Sequence, residues 1–433
     1  MSQSGKTILY VDVSHTWGTD LQTGMQKVVR QLSAVWSNAE YDCRPVIYQG
    51  GHYRVLPKNS FSDILSTYSE RNPKPLLRKN IWKISKPIYR KILSKVSLNA
   101  RVGILTSTPA RKIHKFLNGI PAGENIEILN PEGINLLILE VNFDLDHLNY
   151  IFYIASKRNS KLTFFSYDLI PINHQQYCPP EFTVMFRRYL EISRYSEKLW
   201  SISNTTRKEL EEYVGDSQYL RKSTFKWLPP SNYPRCNHAL PFEISPEDSS
   251  YWLFVSSFEP RKNHLGFFEA LKILKVEGIK LPMIVLVGGS TWDDYGITQG
   301  IKELISEGFD LVKLVNINEC CVGKLYASAG LTVYPSHFEG FGLPVVESLS
   351  FGIPVITSDC GSTGELLQLL GTLGFRQGDS HDLARKLKSL LQDKTAQKNL
   401  TINAESAKAD FGTWIEYANE IFYFATERLE NLD

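Results

Sequence analysis

Two carboxylates eight residues apart, Glu339 and Glu347, sit in the segment Tyr334-Pro-Ser-His-Phe-Glu-Gly-Phe-Gly-Leu-Pro-Val-Val-Glu347. The apolar run before it reads as a strand and the residues after Gly342 as a helix. Pro344 suits the first helical turn, where its missing N–H would be unpaired anyway. Gly340 and Gly342 allow the backbone to pass close to a ligand. The helix start offers free N–H groups at the positive end of its dipole, a geometry that suits a phosphate. Glu339, in the loop, is placed to meet a polar ligand head, and Glu347, on the helix, to accept hydrogen bonds from a ribose diol. The bland alternative is a strand-to-helix turn, tight because of its glycines and acidic because of the dipole.

A second constellation adds positive charge. Ser256-Ser-Phe-Glu-Pro-Arg-Lys-Asn263 also follows an apolar run, with Asn263 as an N-cap. Arg261 and Lys262 then stand at the carboxyl end of a strand, where they would neutralise a diphosphate; the alternative is a solvated surface pair. Gly288 and Gly289, after the run ending at Val287, offer another close-approach loop.

These turns need strands behind them and helices after them. Short apolar runs alternate with helical patterns along most of the chain, the signature of a parallel sheet flanked by helices. In the first half the strands are expected at Thr7–Val13, Arg44–Gln49, Asn135–Asn142, Lys161–Tyr167, Lys198–Ile202 and Thr224–Leu228, with helices near Met25–Trp36, Asp146–Lys157 and Thr205–Tyr213. A Pro-rich polar stretch from Leu228 to Ser250 breaks the rhythm and reads as a linker. Strands then resume at Tyr251–Val255, Pro282–Val287, Leu311–Val315, Leu331–Tyr334 and Pro354–Thr357, with helices near Asn263–Glu277, Glu319–Ala329 and Pro344–Phe351 and a wholly helical tail from Asp379. The fold class expected is α/β: two doubly wound, Rossmann-like domains of similar size facing each other, with ligands in the cleft at the carboxyl ends of the strands. The expected boundaries are 1–230 for the first domain, 231–250 for the linker, 251–410 for the second domain and 411–433 for a last helix crossing back to the first.

Composition narrows the classes. The 433 residues are 42% hydrophobic and 22% charged, enough apolar content for real cores, which excludes a mainly disordered chain. No apolar run approaches the roughly 18 to 20 residues that cross a bilayer. The short apolar stretch after Lys6 is ended by Asp12, so no secretory signal is expected. The six cysteines, at 43, 178, 236, 320, 321 and 360, show no metal-ligand spacing and no disulfide framework. A soluble protein of a reducing compartment is the expectation. The net charge of +2 hides an asymmetry: between Arg71 and Lys115 there are 13 Lys or Arg and no Asp or Glu, against 35 basic and 46 acidic residues elsewhere. Such a block steers a molecule toward a negatively charged surface.

The motifs Glu259-Pro-Arg-Lys-Asn263, Pro335-Ser336 and Glu339-Gly-Phe-Gly-Leu-Pro344 with Glu347 resemble those of retaining glycosyltransferases of family 4, which have the two-domain GT-B fold. Asp12-Val-Ser14, Gln22-Thr-Gly-Met-Gln-Lys-Val-Val-Arg30, Tyr167-Asp-Leu-Ile-Pro171 and Ser201-Ile-Ser-Asn-Thr-Thr-Arg207 resemble the first domain of bacterial polysaccharide mannosyl- and rhamnosyltransferases. The resemblance covers roughly residues 6 to 50 and 130 to 430. It implies transfer of a hexose from a nucleotide sugar, GDP-mannose weakly favoured, to a glycan or polyprenyl-diphosphate-linked acceptor in surface polysaccharide (O-antigen) synthesis. By the same resemblance Glu339 contacts the transferred sugar, Gly340, Phe341, Gly342 and Leu343 supply backbone donors, and Glu347 holds the ribose. Arg261 and Lys262 stabilise the departing diphosphate, aimed at charge that develops in the transition state. Cationic side chains in that role require no metal and no cofactor. Retention without an evident nucleophile implies front-face attack by the acceptor hydroxyl, the leaving phosphate accepting its proton.

Asp168 is the candidate for orienting the acceptor or the sugar, the alternative being a polar turn residue before Pro171. Gly24 lets the first-domain loop approach the cleft or serves as a helix-entry turn. Two positions depart from the pattern: Ser256-Ser257 stands where many relatives carry Gly or Gly-Arg, and Tyr167 where many carry His. Asp144-Leu-Asp146 is similar to the metal-binding DxD of single-domain glycosyltransferases, but a helix N-cap is the expected reading.

From Leu76 to Val96, Leu77, Ile81, Ile84, Ile88 and Ile92 recur at helical spacing beside a stripe of Lys79, Lys83, Lys86 and Arg90, interrupted at Pro87. Trp82 and Tyr89 suit a headgroup region. The expectation is peripheral attachment through 73–98 to an anionic membrane, on the cytoplasmic face; an ordinary helix packed on the first domain is the alternative. Nucleic-acid binding is not expected, because no recognition motif accompanies the charge. The competing functional classes are a sugar-nucleotide epimerase and a non-catalytic glycan-binding or scaffold protein at a membrane assembly.

Overall fold

The structure, a computed structural model, describes residues 7–17, 19, 23–69, 127–157, 159–235, 242, 251–289, 296–315 and 317–427. The basic segment 71–115 and most of the 231–250 linker lie outside the described residues.

The first sheet holds β1 (Ile8–Asp12), β2 (Asp42–Gln49), β3 (His52–Val55), β4 (Asn135–Ile138), β5 (Lys161–Ser166), β6 (Lys198–Ser201) and β7 (Lys222–Phe225), in the order β3-β2-β1-β4-β5-β6-β7. Its neighbours pair in parallel except β2 with β3, an antiparallel pair. That hairpin closes through Gly50 and Gly51, whose φ values of 65° and 88° are the left-handed pair that a two-residue turn requires.

The second sheet holds β8 (Tyr251–Val255), β9 (Ile284–Val287), β10 (Leu311–Leu314), β11 (Ala329–Tyr334), β12 (Val355–Ser358) and β13 (Thr372–Phe375), in the order β10-β9-β8-β11-β12-β13. All its pairs are parallel. Helices cover both faces, so its central strands read as unbroken apolar runs; Tyr251 to Phe254 and Ile284 to Val287 are buried throughout. Counted from β8, this is the doubly wound order 3-2-1-4-5-6, whose chain reversal leaves a crevice between the first and fourth strands. The loops after β8 and β11 flank that crevice. The corresponding reversal in the first sheet lies between β1 and β4.

Two elements were not expected from the sequence, β3 and β13, while the β7 run begins two residues earlier than the apolar pattern indicated. Helices Ser60–Ser69, Pro180–Leu190 and Ile297–Ser306 likewise add to the expected set. The helical tail is three helices, Ser380–Gln392, Lys394–Ala407 and Trp414–Thr426, the last opened by a capping box between Thr413 and Glu416. This last helix packs on the first domain. Trp200 Nε1 donates to Tyr417 Oη at 2.9 Å, and Lys198 Nζ caps its end by donating to the carbonyls of Phe424 at 2.7 Å and Glu427 at 2.8 Å. Buried aromatic and aliphatic side chains run continuously from β1 and β6 through this helix into the second domain.

Candidate active site

The loop after β8 turns through a short 3₁₀ segment, Pro260–Lys262, and ends at Asn263 in the left-handed conformation. Asn tolerates that conformation, and its Oδ1 then caps the next helix by accepting from Gly266 N at 3.2 Å. A side chain at position 266 would collide with that carboxamide, since a Cβ there would lie 2.4 Å from Asn263 Oδ1. Asn263 Nδ2 donates to Pro335 O at 3.1 Å, and His337 N to Arg261 O at 2.8 Å. The two motif loops are therefore stitched together along the crevice.

Their side chains meet there. Lys262 Nζ donates to Glu339 Oε1 at 2.7 Å and to Tyr334 Oη at 3.0 Å, while Arg261 Nη1 donates to Glu339 Oε2 at 2.6 Å. Arg261 also reaches Glu259 Oε1 at 2.8 Å and Phe338 O at 2.8 Å. Burial would raise the Glu339 carboxyl, but Arg261 and Lys262 outweigh it and hold its pKa at about 2. Burial, with Arg261 beside it, lowers the Lys262 ammonium against the opposing pull of Glu339. Two of the three Lys262 donors and three of the five Arg261 donors are used, which leaves donors of both cations for a further anion.

The helix Leu343–Ser350 opens directly beyond Glu339, with Pro344 in its first turn and Gly342 at its N-cap with φ 110°. No side chain caps it, and the N–H groups of Gly340, Phe341, Gly342 and Leu343 make no hydrogen bond among the described residues. Gly340, Phe341 and Gly342 are buried. Consecutive buried N–H groups without acceptors at a helix mouth form an anion cradle. The carbonyls of the same loop are fixed instead: Ser362 Oγ donates to Glu339 O at 2.6 Å, and Thr206 Oγ1, from the first domain, to Gly340 O at 3.1 Å. The Phe341 side chain points into the core, so only its backbone faces the cradle.

The first domain closes over this loop. A Cβ on Gly340 would lie 2.0 Å from Tyr167 O and 2.8 Å from Asp168 Cβ. Asp168, at the carboxyl end of β5, accepts from Ile170 N at 3.1 Å; burial raises its carboxyl pKa against the opposing influence of Arg261. His174 packs on Phe338 with ring centroids 4.0 Å apart. Glu365, from the second domain, accepts from Asn204 N, Thr205 N and Thr205 Oγ1 and so caps the first-domain helix Asn204–Val214. Its role had no signal in the sequence beyond its type.

Other expected residues fall as follows. Glu347 is 2% exposed and already engaged: Ser231 Oγ donates to it at 2.6 Å, Tyr326 Oη at 3.0 Å, and Lys27 Nζ stands 3.8 Å away. Lys27 belongs to the helix Gly24–Asn38, and its first residue, Gly24, has open space where a side chain would project. Gly288 makes its close approach to protein: a Cβ would sit 1.7 Å from Ser256 O. The Tyr167 hydroxyl is buried without a hydrogen-bond partner, with Glu140 and Tyr189 acting on it. Asp144 Oδ1 accepts from Asp146 N and His147 N, the N-cap expected for Asp144-Leu-Asp146. No group of three or more His, Cys, Asp or Glu is arranged for a metal among the described residues. No helix among the described residues is long and apolar enough to cross a membrane.

Residues 240–407 match the family described as glycosyl transferases group 1. O-antigen chain mannosyltransferase B of Escherichia coli is 33% identical over 147 residues, 33% of this chain and 37% of that protein. O-antigen chain mannosyltransferase RfbU of Salmonella typhimurium is 25% identical over 242 residues, 47% of this chain and 66% of that protein. A third relative, the serotype-specific mannosyltransferase WbdA of Escherichia coli, is matched over 27% of its length. Among solved structures, HepE of Anabaena in complex with UDP aligns over 96% of this chain and 98% of its own, with TM-score 0.57 and 14% identity. Sucrose-phosphate synthase from Thermosynechococcus elongatus aligns over 96% and 97%, with TM-score 0.60 and 17% identity. At these identities the structural likeness is one of fold: two doubly wound domains across a cleft.

Proposed function

We propose that this chain, whose residues 240–407 match the group 1 glycosyl transferases, is a retaining hexosyltransferase that uses a nucleotide sugar. The observation that carries the reading is the cradle of unpaired N–H groups from Gly340 to Leu343, beside Lys262 and Arg261 at the interdomain crevice. The nucleoside diphosphate binds with its phosphates at the helix mouth. As the glycosidic bond breaks, negative charge grows on the leaving phosphate, and the free donors of Lys262 and Arg261 stabilise it without a metal. Glu339 stays ionised throughout the neutral range, so it orients the cations and accepts from sugar hydroxyls instead of delivering a proton. The acceptor hydroxyl attacks from the same face and passes its proton to the leaving phosphate. Asp168 borders the reacting sugar from the first domain, and Glu347 takes the ribose in exchange for Ser231.

Relatives that are O-antigen chain mannosyltransferases favour a mannose-bearing nucleotide sugar as donor, GDP-mannose being the expectation from the sequence, and a surface-polysaccharide glycan, free or lipid-linked, as acceptor. The cationic run at 73–98 holds the enzyme to the inner face of the membrane, each Lys or Arg contributing about 1 kcal/mol. Binding to anionic liposomes that survives deletion of 73–98 would overturn this attachment. The reading as a whole is tested by turnover of a panel of nucleotide sugars. Wild-type protein is expected to turn over at least one, and Glu339→Ala and Lys262→Ala to lose that turnover. A folded wild type inert toward the whole panel would favour the non-catalytic glycan-binding alternative.

A further inference from the structure

An aromatic groove of about 540 Å³ opens on the first domain between the Gly50–Gly51 turn and the helix Leu145–Ala155. That volume falls within the roughly 300–1,000 Å³ typical of small-molecule pockets. Its walls are Tyr48, Tyr150 and Tyr153, and its rim carries Asp146 and Asn149, both exposed. The Tyr48 and Tyr150 rings lie 5.6 Å apart, and Tyr150 stacks on Tyr153 at 5.8 Å.

The wall is braced from behind. His147 stacks on Tyr48 at 4.5 Å with ring planes 1° apart. The His147 ring is itself held by a buried network: Nε2 lies 2.7 Å from Tyr53 Oη and 3.1 Å from Asp12 Oδ2, Tyr53 Oη donates to Asp12 Oδ2 at 2.7 Å, and Asn142 meets the other ring nitrogen. Burial would raise the Asp12 carboxyl, but His147 outweighs it and keeps it ionised. Nothing in the proposed transfer uses this network. A buried charged cluster is expensive to maintain unless it fixes something, and here it fixes the orientation of Tyr48.

The groove lies on the same edge as the proposed chemistry. Gly50 and Gly51 follow β2, and the helix Leu145–Ala155 follows β4, so both walls stand at the carboxyl ends of parallel strands, as Asp168 does after β5. The order β2-β1-β4-β5 puts one strand spacing, about 5 Å, between β5 and the strand that precedes the helix wall, and three, about 14 Å along the sheet, between β5 and the Gly50–Gly51 wall. A single acceptor sugar beside Asp168 cannot span that distance, whereas a glycan extending from it can.

We propose that this groove is an extension subsite for the acceptor, binding hexose units of a growing glycan several residues back from the attacking hydroxyl. The inference rests on the transferase reading. Tyr48 and the exposed Tyr153, whose ring carries the Lys157 ammonium 4.2 Å from its centroid, offer apolar ring surface to the C–H faces of pyranose rings, and Asp146 and Asn149 take their hydroxyls. Because the wall is pre-organised, binding there costs little ordering, so a longer acceptor is held better than a short one.

The test is direct binding of a panel of unlabelled hexose tetrasaccharides (mannose, rhamnose, galactose and glucose series) to the full-length protein by NMR titration. The variants are Asp146→Ala, Tyr153→Ala and the groove-filling Asn149→Trp, all at exposed positions. At least one tetrasaccharide is expected to bind wild type, at least tenfold more weakly to each variant, while UDP and GDP bind all four proteins alike. Absence of binding by every tetrasaccharide, or binding unchanged in all three variants, overturns the subsite. Retained oligosaccharide binding in the groove with no nucleotide-sugar turnover would instead overturn the transferase reading and leave the groove standing. The separate kinetic readout is a raised KM for long acceptors at unchanged kcat.

Discussion

Gly340→Ala isolates the contribution of domain closure from that of nucleotide binding. Gly340 does not occupy the left-handed region, so alanine is compatible with its backbone. The new methyl group, however, would lie 2.0 Å from Tyr167 O and 2.8 Å from Asp168 Cβ, both across the interdomain crevice. Since real Cβ contacts are not closer than 3.0 Å, the β5 loop must withdraw by about 1 Å. A displacement of that size at reacting groups costs on the order of 100-fold in rate, or about 2.7 kcal/mol of barrier. Steady-state kinetics should show kcat/KM for sugar transfer falling by that factor. The diphosphate cradle lies wholly in the second domain, so calorimetric affinity for a nucleoside diphosphate should stay within about threefold, near 0.6 kcal/mol. Wild-type kcat/KM in the variant, or a loss of diphosphate affinity matching the loss of rate, would refute the claim that Asp168 and the Tyr167 carbonyl must seat against this loop.

Further outcomes follow from the same contacts. Arg261 and Lys262 hold the Glu339 pKa at about 2, below the ordinary glutamate value of 4.5, so it stabilises the native state above pH 4.5 and loses that contribution as pH falls toward 2. That depression corresponds to about 3 kcal/mol. Glu339→Gln should therefore be less stable than wild type at pH 7 in denaturant titrations, with the gap narrowing below pH 4.5; a gap that widens in acid would contradict the assignment. Ser231→Ala removes the hydroxyl that competes for Glu347 and should tighten nucleoside diphosphate binding by up to about tenfold, the scale of one hydrogen bond to a charged group; weaker binding would show that Ser231 belongs to the ribose site. Glu365→Ala deprives Asn204 and Thr205 of their acceptor at about 1 kcal/mol per bond; faster limited proteolysis between the domains and a larger radius of gyration are expected, and an unchanged scattering profile would argue against a latch.

What was legible in the sequence was local. The runs at β8 and β9 announced themselves because a strand buried on both faces has no polar alternation to hide it. The loop from Glu339 to Pro344 was legible because glycine spacing, proline and carboxylate all sit within one turn, and the adjacency of Lys262 to Glu339 followed from both loops ending strands at one crevice. β3 was missed because His52-Tyr-Arg-Val55 is short and half polar, although Gly50-Gly51 carried the hairpin signal. The environment of Glu347 could not be read at all: Ser231 lies 116 positions away, and Lys27 belongs to the other domain. The seat of Gly340 against Tyr167 is equally non-local, and it explains why Gly, with no side chain, stands there. Tyr167, where the resemblance led one to expect His, directs its ring into the first domain beside Phe165, 5.0 Å between centroids, with its hydroxyl buried and without a hydrogen-bond partner.

The most direct measurement compares calorimetric affinities for matched nucleotides, GDP against GMP and UDP against UMP, in wild type and in Lys262→Ala. If a diphosphate is gripped by the free donors of Lys262 and Arg261 together with the open N–H groups of residues 340–343, one diphosphate should bind at least about tenfold tighter than its monophosphate, the scale of one charge-assisted hydrogen bond. That advantage should fall several-fold when Lys262 is removed, the cradle and Arg261 keeping the remainder. Equal affinity for both nucleotides in each pair, or a diphosphate preference undiminished by Lys262→Ala in a folded protein, would contradict the account.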